Sequence, residues 1–188
     1  MNNLLNEAVT KAFMQLVKDV DKQSVQHWNE SVFRYILTKE LGMQHCYAEW
    51  KRIDLIFDSD SDKSIGIELK FYRAVSTENS KMITQGLKGS AGKKNTEEFI
   101  NSWNKLFELQ ASNSPIAKAW GKPFSKLYVV LVTIDDSSSK HKKFADSYFN
   151  NFSMKPILKE EEKKDNLEIK VGIFEVTKSI ELSDFSVQ

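Results

Sequence analysis

Cysteine is almost missing from this chain: Cys46 is the only one among 188 residues. A single thiol excludes an intrachain disulfide and fits a reducing cytosol. Histidine is nearly as scarce, with only His27, His45 and His141. His45 adjoins Cys46, but no second cysteine follows, so a structural zinc site of the Cys/His type is not expected. Cys46 reads instead as a small buried hydrophobe. No apolar run approaches membrane-spanning length, and residues 1–20 lack the continuous apolar stretch of a signal peptide. Charge of one sign is also lacking. Lys and Arg number 27 against 26 Asp and Glu, a net charge of +1, where nucleic-acid binders usually carry a clear basic excess. There is no internal repeat and no low-complexity segment. These absences lead to the expectation of a cytoplasmic protein with no membrane partner.

What is present is an ordinary globular balance, 40% hydrophobic and 28% charged. The length fits one domain with a sizeable core. We expect that single domain to comprise N-terminal helices over 1–41, a strand hairpin over 43–72 and a helix–strand scaffold over 81–188. Leu4, Leu5, Ala8, Val9, Ala12, Phe13, Leu16 and Val17 follow a helical period. Residues 25–41 read as a second amphipathic helix with Ser24 as N-cap. In the scaffold, Asn95–Gln110 reads as a helix with Asn95 and Glu98 as a capping box and Phe99, Trp103, Leu106 and Phe107 inward. Residues 127–134 are nearly all apolar, the mark of a central strand covered on both faces. Residues 139–151 read as a helix with Phe144, Tyr148 and Phe149 inward. Lys159–Asp165 reads as a charged turn, and Leu167, Ile169, Val171 and Ile173 alternate as a last strand. The stretch 43–50 is either a first strand or an extension of the next one; in the first case Glu49 flanks the hairpin described below.

The chemistry concentrates in that hairpin. Residues 52–57 (Arg-Ile-Asp-Leu-Ile-Phe) and 65–71 (Ile-Gly-Ile-Glu-Leu-Lys-Phe) are rich in strand formers, and the segment between them, 58–64, has no apolar residue. Side chains alternate across a strand. Ile53, Leu55 and Phe57 therefore share one face, and Arg52, Asp54 and Ile56 the other. Likewise Ile65, Ile67, Leu69 and Phe71 oppose Gly66, Glu68 and Lys70. Glu68 and Lys70 would lie ~6–7 Å apart along their face. Burying them under apolar cover without compensation is costly; a cleft or a metal ion resolves the cost. Two carboxylates suit a hard divalent cation, which takes oxygen ligands, waters and phosphate oxygens. Such an ion lowers the pKa of a bound water and neutralises charge on a phosphoryl transition state. The pKa of Lys70 is pulled down by burial and up by Asp54 and Glu68, with the balance open at this level.

Asp54 followed after thirteen residues by Glu68-Leu69-Lys70 resembles the signature of the PD-(D/E)xK nuclease superfamily, the restriction-endonuclease-like fold. The proline usual in the first motif is replaced here by Ile53, which does not touch the chemistry. The resemblance implies a three-layer α/β/α core with a central mixed sheet. It implies a magnesium-dependent nuclease, with manganese as a substitute, hydrolysing phosphodiester bonds as a DNA endonuclease in restriction, repair or toxin action. Asp54 and Glu68 would hold the metal with the Leu69 carbonyl as a further ligand, and Lys70 would assist the water. Members often carry another acid on a helix before the first strand. Glu30 is the candidate, on the face of Phe33 and Leu37, and would serve a second metal or a metal-bound water. The competing reading buries Trp28, Val32, Tyr35 and Ile36 and leaves Glu30 in water. A homodimer is allowed, since cutting both strands needs two sites. A non-catalytic binding or immunity module on the same fold is the alternative, and an unrelated α/β domain a third reading.

Nucleic-acid contacts are sought after the hairpin. Lys81, Lys88, Lys93 and Lys94 accompany Gly86, Gly89, Ser90, Ala91 and Gly92, a basic loop suited to a phosphate backbone or, more plainly, a solvated surface. The order of residues is not that of a P-loop. Gln85 is a further candidate contact, because some members of the superfamily carry Gln or Lys on the helix after the Glu-x-Lys strand. Lys140, Lys142 and Lys143 flank His141 as a second basic patch.

Overall fold

Apolar residues spaced three and four apart wind the N-terminal segment into α1 (Asn2–Asp19), burying Leu5, Ala8, Val9, Ala12, Phe13 and Leu16 and leaving Leu4 exposed. The computed structural model describes residues 2–21, 24–51, 53–58, 62–76, 82–85, 92–111, 114–136, 148–150 and 152–185. The expected single helix over 25–41 is two elements. Val25–His27 is one 3-10 turn, the chain extends at Trp28 and Asn29, and α2 runs Glu30–Leu41. Asn29, not Ser24, is the cap: its side chain accepts the Val32 N–H at 3.0 Å. Asx side chains favour that position because they satisfy an amide the first turn leaves bare. Gly42, at φ 92°, ends α2 in a conformation that a side chain would resist.

Seven strands follow in one mixed sheet: β1 (Cys46–Trp50), β2 (Ile53–Phe57), β3 (Ser64–Ser76), β4 (Met82–Gln85), β5 (Phe124–Asp136), β6 (Leu158–Lys164) and β7 (Leu167–Glu175). The order is β1-β2-β3-β5-β7-β6, with β4 added to β3. Only β3 and β5 are parallel. The other helices are α3 (Gly92–Phe107) and α4 (Pro115–Trp120), and 148–150 are also helical. One face of the sheet packs on α1 and α2 through Leu55, Ile67, Leu69, Val130 and Val171. The other packs on α3 and on Tyr148, Phe149 and Phe152 through Leu127, Val129, Leu131 and Phe174. The architecture is thus mixed α/β with helices on both faces. As its apolar run foretells, β5 is central, buried continuously from Leu127 to Asp136.

Several boundaries differ from expectation. The stretch 43–50 resolves as an independent β1, antiparallel to β2. Helix α3 begins at Gly92, so Asn95 is a buried interior residue rather than a cap, and the last turn, Glu108–Gln110, tightens to 3-10. Lys159–Asp165 is not a turn but most of strand β6. Its Glu161 and Lys163 stand opposite Lys170 and Glu168 of β7, and its charged edge discourages pairing with another chain. The turn is the next pair, Asp165-Asn166, with Asp165 at φ 55°. Gln85 lies on strand β4 opposite Arg73, not on a helix. Ile53 packs with Ile56 against the α3 layer, not with Leu55 and Phe57. Arg52, Lys81, Lys88, the loop 86–91, the patch 140–143 and Phe144 lie outside the described residues, as do the side chains of Gln85, Lys93 and Lys94. No helix among the described residues is long and apolar enough to cross a membrane.

Candidate active site

The β2–β3 ladder stops where the chemistry begins. Its registered pairs are Phe57↔Ile65, Ile56↔Gly66 and Leu55↔Ile67. On the same edge of β3, β4 starts only at Arg73, while β5 occupies the whole opposite edge from Ser64 to Ala74. Between Ile67 and Arg73 the edge of β3 has no strand partner among the described residues. A bare strand amide there needs an acceptor. Asp54 supplies it: the Leu69 N–H donates to Asp54 Oδ2 at 2.7 Å. This bond places the Asp54 carboxylate beside the peptide joining Glu68 to Leu69 and the next residue, Lys70. In an extended strand the carbonyl of a residue points to the same edge as its N–H, so the Leu69 carbonyl faces the same opening.

Glu68 is buried at 5% exposure and Lys70 half-buried. Lys70 Nζ holds Glu68 Oε1 at 2.9 Å, and Lys105 Nζ, reaching from α3, stands 4.0 Å from Glu68 Oε2. Glu30 opens α2, on the stripe of Phe33 and Leu37 that enters the core, while Tyr35 is 60% exposed. Glu30 is half-buried beside that stripe; of the competing set, Trp28 is buried and Val32 and Ile36 pack against the core, and only Tyr35 faces water. Arg34, one turn later, pairs with Glu49 Oε1 at 2.5 Å, so Glu49 flanks the site through this arginine.

Burial and neighbouring charge both shift these groups. Burial pushes the Glu30 carboxyl up to about 7, helped by the charges of Asp54 and Glu68 and opposed by Lys70 and Arg34. Asp54 is raised by burial and by Glu68, against the pull of the Leu69 amide, Lys70 and Arg34. Burial alone would lower Lys70, but Glu68, Asp54 and Glu30 outweigh it and the net shift is upward. The balance left open by the sequence therefore favours the ammonium. Glu30, Asp54 and Lys70, from α2, β2 and β3, thus act on one another, and burial holds the Glu30 and Asp54 carboxyls toward their neutral forms. Oxygen donors such as Asp54, Glu68 and the Leu69 carbonyl are the kind a hard divalent cation takes, and it needs only one or two carboxylates from protein. Among the described residues no group of three or more His, Cys, Asp or Glu is placed to hold a metal ion.

Three residues escaped the sequence reading. Arg34 was legible, four residues after Glu30 and so on its face. Arg73 carried a fainter signal, a cation in the apolar register of Ile67, Leu69 and Phe71. Its buried guanidinium donates to the carbonyls of Val25 and of Trp28, the latter at 2.9 Å, fastening the turn before Glu30 to the strand of Glu68 and Lys70. Lys105 had no signal, since its approach depends on how α3 crosses the sheet. Cys46 packs half-buried with Sγ 3.9 Å from the Thr38 carbonyl, and burial pushes its thiol up to about 11, which keeps it unreactive. No protein-family model, curated protein or solved structure matches this chain.

Proposed function

We propose that this protein is a magnesium-dependent nuclease of the PD-(D/E)xK type that hydrolyses phosphodiester bonds, DNA foremost, on a restriction-endonuclease-like core. The observation that carries the reading is the grouping of Asp54, Glu68, Lys70 and Glu30 along a stretch of β3 that, among the described residues, has no strand partner on that edge. The mixed sheet with helices on both faces, in the order α2, β1, β2, β3, β4, α3, α4, β5, supports an α/β core of the kind proposed. Asp54, Glu68 and the Leu69 carbonyl would hold the cation, which when bound supplies Lewis acidity and lowers the pKa of water. Glu68 keeps Lys70 oriented. Lys70, an ammonium, orients the nucleophile and offsets charge developing on the phosphate rather than removing a proton. Glu30, poised near neutrality by burial, accepts a proton or a hydrogen bond from water at the rim.

The test is a cleavage assay on circular, linear, branched and single-stranded DNA with magnesium or manganese. Metal-dependent cleavage lost in Asp54→Ala is the expected result; the same cleavage by the purified variant contradicts the assignment. The near-neutral net charge of +1 favours a second reading, a non-catalytic binding or immunity module on the same core. Isothermal titration separates the two, since the module shows no carboxylate-dependent uptake of metal.

A further inference from the structure

The β1–β2 hairpin leaves regular pleating at one place. Tyr47 and Ala48 face Ile56 and Leu55, and Trp50 faces Ile53, but Glu49 and Asp54 between them are unmatched. Glu49, within the strand, has φ of 54°, a value that residues with a Cβ keep only where surrounding structure enforces it; Lys51, at 43°, belongs to the hairpin turn. Residues 47 and 50 of a regular strand would point to opposite faces. Here both rings meet Trp120 of α4 edge-on, with centroids 5.0 and 5.1 Å away. The irregular backbone brings the two aromatics to one side, on the hairpin that also carries Asp54.

Anchoring of α4 explains part of this cluster. Trp120 is pinned through its Nε1–H, which donates to Ser64 Oγ at 2.9 Å. Anchoring does not explain Tyr47, held against Trp120 yet 47% exposed on the outermost strand. The Lys51 ammonium lies 5.4 Å from the Trp50 ring centroid. The intervening acid, Glu49, is neutralised by Arg34 and offers little repulsion to a phosphate. A fixed, half-open ring, with a cation over the neighbouring indole of the same aromatic cluster, is the chemistry that recognises an unpaired base and its phosphate.

We propose that Tyr47, backed by Trp120 and by Trp50 with Lys51 over its ring, is a stacking platform for an unpaired nucleobase of the strand presented to Asp54. The inference rests on the nuclease reading and narrows its substrate to single-stranded or locally unpaired nucleic acid. A base within a duplex already stacks on its neighbours and has no face to offer.

Fluorescence anisotropy with a labelled single-stranded dodecanucleotide and a blunt duplex of the same sequence tests it, using the full chain in EDTA so that nothing is cut. Stacking is worth about 1–3 kcal/mol per base, so Tyr47→Ala is expected to weaken single-strand binding about tenfold. Tyr47→Phe should stay within twofold of the parent, and duplex binding should be unmoved by either. Unchanged single-strand binding in Tyr47→Ala, or equal losses on both substrates, overturns the proposal. So does sedimentation showing that Tyr47→Ala breaks a dimer of this chain without affecting oligonucleotide binding. Cleavage with magnesium is read separately: tyrosine-dependent binding without cleavage retires the nuclease reading and leaves the platform standing.

Discussion

Glu68-Leu69-Lys70 on β3 and Glu168-Ile169-Lys170 on β7 are the same pattern in one sheet, and each closes an ion pair, at 2.9 and 3.2 Å. All four side chains are largely buried, and Glu168 even has an aspartate, Asp135, across the ladder. The difference is in the backbone. Strand β7 is paired on both edges there, with Asp135 and Thr133 of β5 on one side and Lys163 and Glu161 of β6 on the other. Among the described residues, strand β3 at Glu68–Lys70 has only β5, and the Asp54 carboxylate takes the Leu69 amide that a neighbouring strand would otherwise hold. Glu30 then arrives from a helix. A charge inventory does not make a site. An open edge does, because only there are a carbonyl and carboxylates within reach of something that is not the protein.

This comparison breaks first on catalysis. If the proposed nuclease reading holds, Asp54→Ala and Lys70→Ala lower the rate of DNA cleavage by at least ~100–1,000-fold, the usual cost of losing a group that meets transition-state charge, with circular dichroism unchanged. Lys170→Met should leave the rate within twofold and act on stability instead. Removing Lys170 takes away its ion pair with the buried Glu168, so a loss of stability is expected in urea unfolding. A large catalytic loss in Lys170→Met would erase the distinction between the two tripeptides.

Arg73→Met sharpens it. Two charge-assisted bonds to the Val25 and Trp28 carbonyls disappear, although the arginine's own burial cost disappears as well, for a net loss of about 2 kcal/mol. Its catalytic penalty should largely vanish in a Glu30→Gln background, because Arg73 acts by positioning the start of α2. Full additivity of the two substitutions would separate Arg73 from the site.

Glu30→Gln gives a smaller, pH-dependent effect. The folded-state pKa of about 7 lies above the ordinary 4.5, so the folded chain binds this proton more tightly than the unfolded chain. The group's contribution is complete below 4.5, is lost as pH rises to about 7, and is flat above. The glutamine variant should therefore gain on the parent across that window and exceed it by about 1–2 kcal/mol at pH 8, after discounting for partial exposure. Parallel stability curves from pH 4 to 8 would show that Glu30 ionises freely. Asn29→Ala should cost about 1 kcal/mol through the lost cap, with the rate little changed.

Much of this was legible beforehand. The period of α1, the alternation of β3 and the unbroken apolar run of β5 each state their own burial, because periodicity is a local property; the alternation of β2 did not, since Ile53 packs with Ile56 on the α3 side. Asp54 and Glu68 stood out from the one hairpin, and Glu30 from its register with Phe33 and Leu37. Elements whose partners are distant were misread. Strand β6 looks like a charged linker until Lys170 and Glu168 lie opposite its acids and lysine. The break before α2 was hidden because Trp28 and Asn29 continue a helical pattern, and the clamp that fixes it, Arg73, is 45 residues from Trp28.

The sequence by itself determined which faces are apolar and which residue types share the hairpin, since these follow from chain spacing alone. Tertiary structure decided that β2 and β4 leave β3 uncovered at Leu69, that α2 begins at Glu30 beside that gap, and that Lys105 reaches Glu68. Strand pairing and helix crossing bring together groups far apart in the chain, and no local pattern encodes how far a neighbouring strand will run.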